Sequence, residues 1–217
     1  MKKFFIVLLI LFSCLSCSAS AQTYAVSVKA STIGLHLEAY RSIGTDFNVH
    51  LGGSFFSYAY NQSPDPKEDY SLNADLKLNS FTALVDWMPF ESSSFRISGG
   101  LSYNNNQPQV TAIPQITKVI GGDVYNKDNL GNLDVTLTFN KIDPYIGIGI
   151  GNPTGGESRF GVVFDMGVFY QGKPGVKLHA DGLLSPSASP EQEAIVQENI
   201  KWFQWYPVVS LGVSYKF

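Results

Sequence analysis

From residue 32 onward the chain repeatedly alternates apolar side chains with small or polar ones. Ile33, Leu35, Leu37 and Ala39 oppose Gly34, His36, Glu38 and Tyr40, and Phe47, Val49, Leu51, Gly53 and Phe55 oppose Asn48, His50, Gly52, Ser54 and Phe56. A period of two over such lengths predicts strands with one apolar face. Further segments of this kind occupy residues 72–87, 95–103, 133–139, 146–150, 160–170, 176–181 and 209–217, which makes nine. Within 72–87 the apolar parity moves from Leu72, Ala74, Leu76 and Leu78 to Phe81, Ala83, Val85 and Trp87. That change predicts a bulge near Asn79 and Ser80. Residues 189–204 break the pattern: Ser189 can cap a helix, Pro190 suits its first position, and Glu191 and Glu193 lie at its positive end. Val196, Ile200 and Phe203 then follow helical spacing, so one short amphipathic helix is expected before the last strand.

The second parity of the strands carries Gly, Ser, Thr, Asn, His and Asp rather than the Lys and Glu of a water-facing sheet. Charged residues make up only 15% of the 217 residues, against roughly 25% in soluble domains. After residue 21 no apolar run approaches the ~18 residues of a spanning helix. An apolar outer face and a polar inner one fit a barrel in lipid, which must close because lipid cannot satisfy a sheet edge. The fold class expected is therefore all-β: a transmembrane antiparallel up-and-down β-barrel. Bacterial barrels have an even strand number. Eight is expected if one segment does not span, and ten is the alternative if the stretch from Ala25 or the patch at 110–120 adds one. Connections near 41–46, 89–94, 141–143 and 171–174 read as short turns, and those at 61–70, 105–130, 152–158 and 183–206 as long loops at the opposite end. Aromatic residues close to both sets, among them Tyr40, Trp87 and Tyr145 on one side and Tyr58, Tyr60 and Tyr103 on the other, read as interfacial girdles.

Residues 1–21 combine Lys2 and Lys3, an apolar core and the small-residue site Ala19-Ser20-Ala21. This is the pattern of an export signal cleaved near Ala21, leaving residues 22–217 as the barrel domain. Both cysteines, Cys14 and Cys17, fall in the leader, so the mature chain would carry no thiol; a lipid-bearing N-terminus at Cys17 is the alternative to cleavage near Ala21. A net charge of -3 without a basic cluster argues against a nucleic-acid partner.

The stretch WMPFESSSFRISGGLSYNNN, with Trp87, Pro89, Phe90, Phe95, Arg96, Gly100, Leu101, Tyr103, Asn104 and Asn106, resembles small outer-membrane β-barrel proteins of Gram-negative bacteria, a loosely characterised group in the OmpA-like barrel superfamily. Similar to the same group are Pro144 to Gly147 with Gly149 and Gly151, the run from Phe164 to Gly167 with Gly172 to Pro174, and the ending from Tyr206 to Phe217. The resemblance implies a fold and an outer-membrane location, with outer-membrane lipids and the barrel-insertion machinery as partners, but no activity. It also implies that the terminal Tyr215 and Phe217 act as an insertion signal. Similar proteins often have Arg where this chain has His50, which implies a weaker interior charge network.

Ionisable residues on the inward parity are His36, Glu38, His50, Asp75, Lys77, Asp86, Arg96, Asp134, Asp165, Lys177, His179 and Asp181. Buried charges need partners, and an eight-stranded lumen is filled by side chains. Asp86 with Arg96, joined by Glu38, is the interior network expected. Trp202, Phe203, Trp205 and Tyr206 are placed at the rim, as anchors or as the lining of a ligand site. No Gly-x-Ser-x-Gly or His-Glu-x-x-His motif occurs, so no catalytic residue, metal or cofactor is assigned. The function expected is that of a structural or surface-binding membrane protein using its long external loops, with an unknown surface ligand. A narrow solute pore is the alternative, and a lipid-acting enzyme the more remote one.

Overall fold

The computed structural model describes residues 23–63, 69–90, 93–115, 118–120, 123–125 and 127–217. The expected leader, the expected cleavage site near Ala21 and Cys17 lie outside them. Strands β1 (Tyr24–Ser31), β2 (Gly34–Ile43), β3 (Phe47–Asn61), β4 (Tyr70–Trp87) and β5 (Phe95–Asn104) form an antiparallel meander. They are followed by β6 (Gln109–Pro114), a small hairpin of β7 (Lys118–Ile120) and β8 (Asp123–Tyr125), helix α1 (Lys127–Leu130) and β9 (Leu133–Thr138). Strands β10 (Ile142–Ile150), β11 (Phe160–Tyr170), β12 (Gly175–Ala180) and β13 (Trp205–Lys216) complete the sheet, with helix α2 (Pro190–Asn199) between the last two.

Eight of these strands close a ring: β5 pairs with β10, β10 with β11, β11 with β13, and β13 returns to β1. Every neighbour is antiparallel. The alternation sets the two faces. Leu35, Leu37, Leu51, Val85, Leu101, Ile146, Ile148, Val162, Leu211 and Val213 stand exposed around the outside, while Ser27, Lys29, His36, Glu38, Asn48, His50, Asp86, Arg96 and Ser98 are buried within. Tyr40 and Tyr145, expected at a girdle, belong to the inner parity and point into the barrel instead; Tyr40 is almost fully buried.

The ring differs from the expected set of strands in three members. Tyr24–Ser31 is a full strand, separated from β2 by a two-residue turn at Thr32 and Ile33. Gly34, at φ 100°, makes that turn feasible, since a Cβ there would collide with the Phe55 carbonyl. Conversely β9 and β12 leave the ring. As a result the turns at 44–46, 88–94 and 151–159 share one end with both termini, and the connections at 62–69, 105–141 and 171–204 share the other. The loop at 152–158 thus lies on the short-turn side, contrary to expectation. The segments 141–143 and 171–174 lie on the long-loop side, where the chain passes between the ring and its extension.

That extension is a second use of the same ribbon. The β3–β4 ladder runs unbroken from Phe47↔Trp87 to Asn61↔Asn73, with one constant register and no bulge at Asn79 and Ser80. Beyond Ser54 and Ser80 the ribbon rises past the ring, and β6, β9 and β12 add to its β4 side. Directly paired residues share a face. One face collects Phe56, Tyr58, Leu72, Leu76, Leu78, Val110, Leu133, Val135, Leu137, Val176 and Leu178, and the other Ser57, Asn61, Asn73, Asp75, Lys77, Thr111, Asp134, Thr136, Lys177 and His179. The apolar face is continuous with the barrel's inner side. The parity change is therefore not a slip of register: below Ser54 and Ser80 the outward face is apolar, and above them it is polar.

Helix α2 packs beside β12, with Ser189 Oγ accepting from Gln192 N at 3.4 Å and Pro190 in its first turn. Its half-buried stripe is Glu193, Val196, Gln197 and Ile200, more polar than an amphipathic helix would show. Glu193 Oε1 accepts from Leu178 N at 2.8 Å and so occupies a backbone donor on the free edge of β12.

Candidate functional site

Two places hold chemistry: the barrel interior and the outer sheet. In the interior, Lys29 of β1 lies 2.6 Å from Glu38 Oε2 and 2.5 Å from Asp165 Oδ2. Glu38 also accepts from Ser27 Oγ at 2.9 Å and from the Tyr40 hydroxyl. The His50 ring stacks on Tyr40 with centroids 4.5 Å apart; its Nδ1 is 3.4 Å from Glu38 Oε1 and its Nε2 3.2 Å from Asp86 Oδ1. The Nε2 contact is a hydrogen bond, whereas Nδ1 meets Glu38 at ion-pair distance without hydrogen-bond geometry. His36 lies 3.8 Å from Glu38 Oε1. Asp86 further accepts from Ser98 Oγ at 2.5 Å and faces Arg96 Nε at 3.6 Å, while the Arg96 guanidinium donates to Asp165 and to the Gly151 carbonyl.

Glu38, Asp86 and Arg96 thus belong to one buried cluster, which Lys29, His36, His50 and Asp165 complete. Arg96 reaches Asp165, two strands away on β11, more closely than Asp86 on the neighbouring β4, and His50 lies between Glu38 and Asp86. Lys29 escaped the sequence reading because the strands were counted from residue 32 and the stretch from Ala25 was held only as the alternative extra strand. The alternation of Ala25, Ser27 and Lys29 against Val26 and Val28 was the available signal. The inward glycines leave room for these side chains: a Cβ on Gly52 would sit 2.8 Å from His36 Nε2 and Thr82 Oγ1, and one on Gly149 would strike Asp165 and Arg96.

Above the charges, Ile33, Phe169 and Val208 form an apolar layer with Tyr145 and Tyr206 against them. Internal spaces amount to about 20 Å³ beside the charged cluster and about 20 Å³ beyond the apolar layer, room for a single water in each. Of the other ionisable residues expected to point inward, Asp75, Lys77, Asp134, Lys177 and His179 lie instead on the outward, polar face of the outer sheet, because alternation alone does not tell which face is turned in, and Asp181 follows its last strand. Asp75 and Lys77 pair at 2.7 Å in the open, with side chains 47% and 62% exposed.

The four rim aromatics do not act as one group. Phe203 packs on Phe139, Trp202 and Tyr206 with centroids 5.9, 5.3 and 6.0 Å away, and Trp205 packs on Tyr170 at 4.7 Å on the outer wall. Trp202 is 68% exposed. At the opposite end Phe217 lies edge-on to Tyr215 at 5.3 Å and is largely exposed. On the outer sheet a groove of about 770 Å³ runs between the apolar face, through Tyr70, Leu72, Ala112 and Leu133, and the 3-10 turn at 182–188, through Leu184 and Ser187.

No protein-family model matches the chain, and no curated sequence is similar to it. Solved structures do share its fold. Acinetobacter baumannii CarO matches with a TM-score of 0.59 at 19% identity over 89% of this chain and 97% of that one. CarO2 of the same organism matches at 0.60 and 19% over 90% and 98%. A major outer membrane protein from Thermus thermophilus matches at 0.50 and 12% over 91% and 100%. The fold is that of a small outer-membrane β-barrel.

Proposed function

We propose that the protein is a bacterial outer-membrane barrel that works through what it displays outside the membrane, not through what it lets across. The observation that carries this reading is the filled interior. Three carboxylates, two permanent cations and two imidazoles occupy the ring's cross-section, an apolar layer lies over them, and neither void exceeds the size of one water. A structural or surface-binding role fits this arrangement, because the groove on the outer sheet is large enough for an organic ligand. That sheet and its flanking 3-10 turn are built from the long connections, where binding residues tend to ride on a rigid scaffold. The exposed apolar belt calls for membrane lipid as the surrounding solvent. The reading is non-enzymatic. Single-channel recording of the refolded protein in planar bilayers tests it: no steady open steps are expected, and reproducible conductance would replace it with narrow-pore transport.

A further inference from the structure

Four carboxylates are buried within the ring: Glu38, Asp86, Asp165 and Asp143. The first three face Lys, Arg or His side chains. Asp143, 3% exposed, has no such partner within 4 Å among the described residues. Its Oδ2 accepts from Asn104 Nδ2 at 2.6 Å, and its Oδ1 is buried with no hydrogen-bond partner among them. An unpaired buried charge is expensive.

The about 20 Å³ space at this position is lined by polar side chains, among them Asp143, Asn104, Ser80, Ser102 and Gln171, and by the apolar Ile33 and Phe169. These five polar residues are buried, and all but Gln171 lie on ring strands. We propose that this is a site for a single small monovalent cation of the sodium class, held by the Asp143 carboxylate and the Ser80, Ser102 and Gln171 side-chain oxygens around it. The room suits one ion without a hydration shell. One carboxylate balances one positive charge, whereas calcium takes six to eight oxygens and magnesium keeps its waters.

The position gives the ion a structural consequence. Asn104 is the last residue of β5 and Asp143 the second of β10, so the site lies where the chain leaves the ring for the outer sheet and where it returns. Asn104 N donates to Lys141 O at 2.8 Å across that same base. Sodium would tie the two ends of the 105–141 excursion together and hold the outer sheet on its ring.

The test is limited proteolysis of the refolded full mature chain in detergent, at fixed pH and ionic strength, with sodium chloride exchanged for choline chloride. Cleavage within 105–141 should slow by the factor 1 + [Na⁺]/Kd, about elevenfold at ten times Kd. Asp143→Asn should remove the dependence, and Ser102→Ala should shift it to higher sodium if the Asn variant does not refold. Equal cleavage in sodium and choline would overturn the proposal. So would protection that follows pH and ignores sodium, which would assign a proton to Asp143.

Discussion

The β3–β4 ribbon is one ladder with two halves that obey opposite rules. In its lower half Leu51 and Val85 point outward and are exposed, and His50 and Asp86 point inward and are buried. In its upper half Ala59, Asp75 and Lys77 take the outward face, and Phe56, Tyr58, Leu76 and Leu78 the inner one. Backbone geometry is the same throughout, so propensity and register do not distinguish the halves. What differs is what each face meets: below Ser54 and Ser80 an apolar outer face encloses a polar filling, and above them the outer face is polar while Phe56, Tyr58 and Tyr60 on the inner face stay exposed. The parity exchange thus marks where the ribbon leaves the hydrocarbon.

The sharpest way to break this comparison is to make the same change in both media. Lys29→Met leaves Glu38 and Asp165 facing each other in the closed interior, and removing one partner of a buried charge cluster costs about 3–5 kcal/mol. Lys77→Met removes an exposed partner of Asp75, and such pairs contribute about 1 kcal/mol or less. The urea midpoint of the folded, heat-modifiable band in detergent should fall steeply for the first and hardly for the second. Comparable losses would mean that the lower ring is wetter than its packing implies.

A second pair sharpens where the boundary lies. Leu51 and Ala59 occupy the same face of the same strand, eight residues apart. An arginine at a lipid-facing position deep in the bilayer costs about 2–4 kcal/mol. An exposed surface change away from special features stays within about 0.5 kcal/mol. Leu51→Arg should therefore cut refolding yield into vesicles, while Ala59→Arg, beside Asp75, should leave it unchanged. If both fail, the upper half is also embedded and the parity exchange needs another cause.

The fold was legible because lipid-facing strands advertise themselves by strict alternation, and the segments 32–40, 47–56, 95–103, 160–170 and 209–217 all carry it. What alternation does not encode is the medium. Residues 133–139 and 176–181 alternate as well as any ring strand, yet they pair in the outer sheet, since an amphipathic strand in water and one in lipid have the same period. The supposed bulge was the same ambiguity within one strand. Glu38, Asp86 and Arg96 were readable as inward charges by parity alone. Their partners were not, because Asp165 is 69 residues from Arg96 and 136 from Lys29, and ring closure brings them together. Asp143 was read as part of a tight connection, so its burial had no sequence signal.

The smallest expected effect concerns the aromatic cluster at the upper edge, where the two media meet. Phe203 has three ring neighbours, its carbonyl accepts from Gln171 Nε2 at 2.9 Å, and Gln204 O accepts from Gln171 N at 2.9 Å. Those bonds pin the turn before β13 to the end of β11. Aromatic pairs contribute about 0.5–1.5 kcal/mol beyond area burial. Phe203→Ala should therefore lower the unfolding free energy by about 1–2 kcal/mol, in detergent and in vesicles alike, because its contacts are within the protein. Trp202, 68% exposed, has little packing to lose, so Trp202→Ala should be nearly silent in detergent. A loss for Trp202→Ala that appears only in vesicles would place that ring at the headgroups and set the height of the membrane surface against the outer sheet. An equal loss in detergent would mean instead that Trp202 is held by the protein, and that the cluster belongs wholly to the water-facing half.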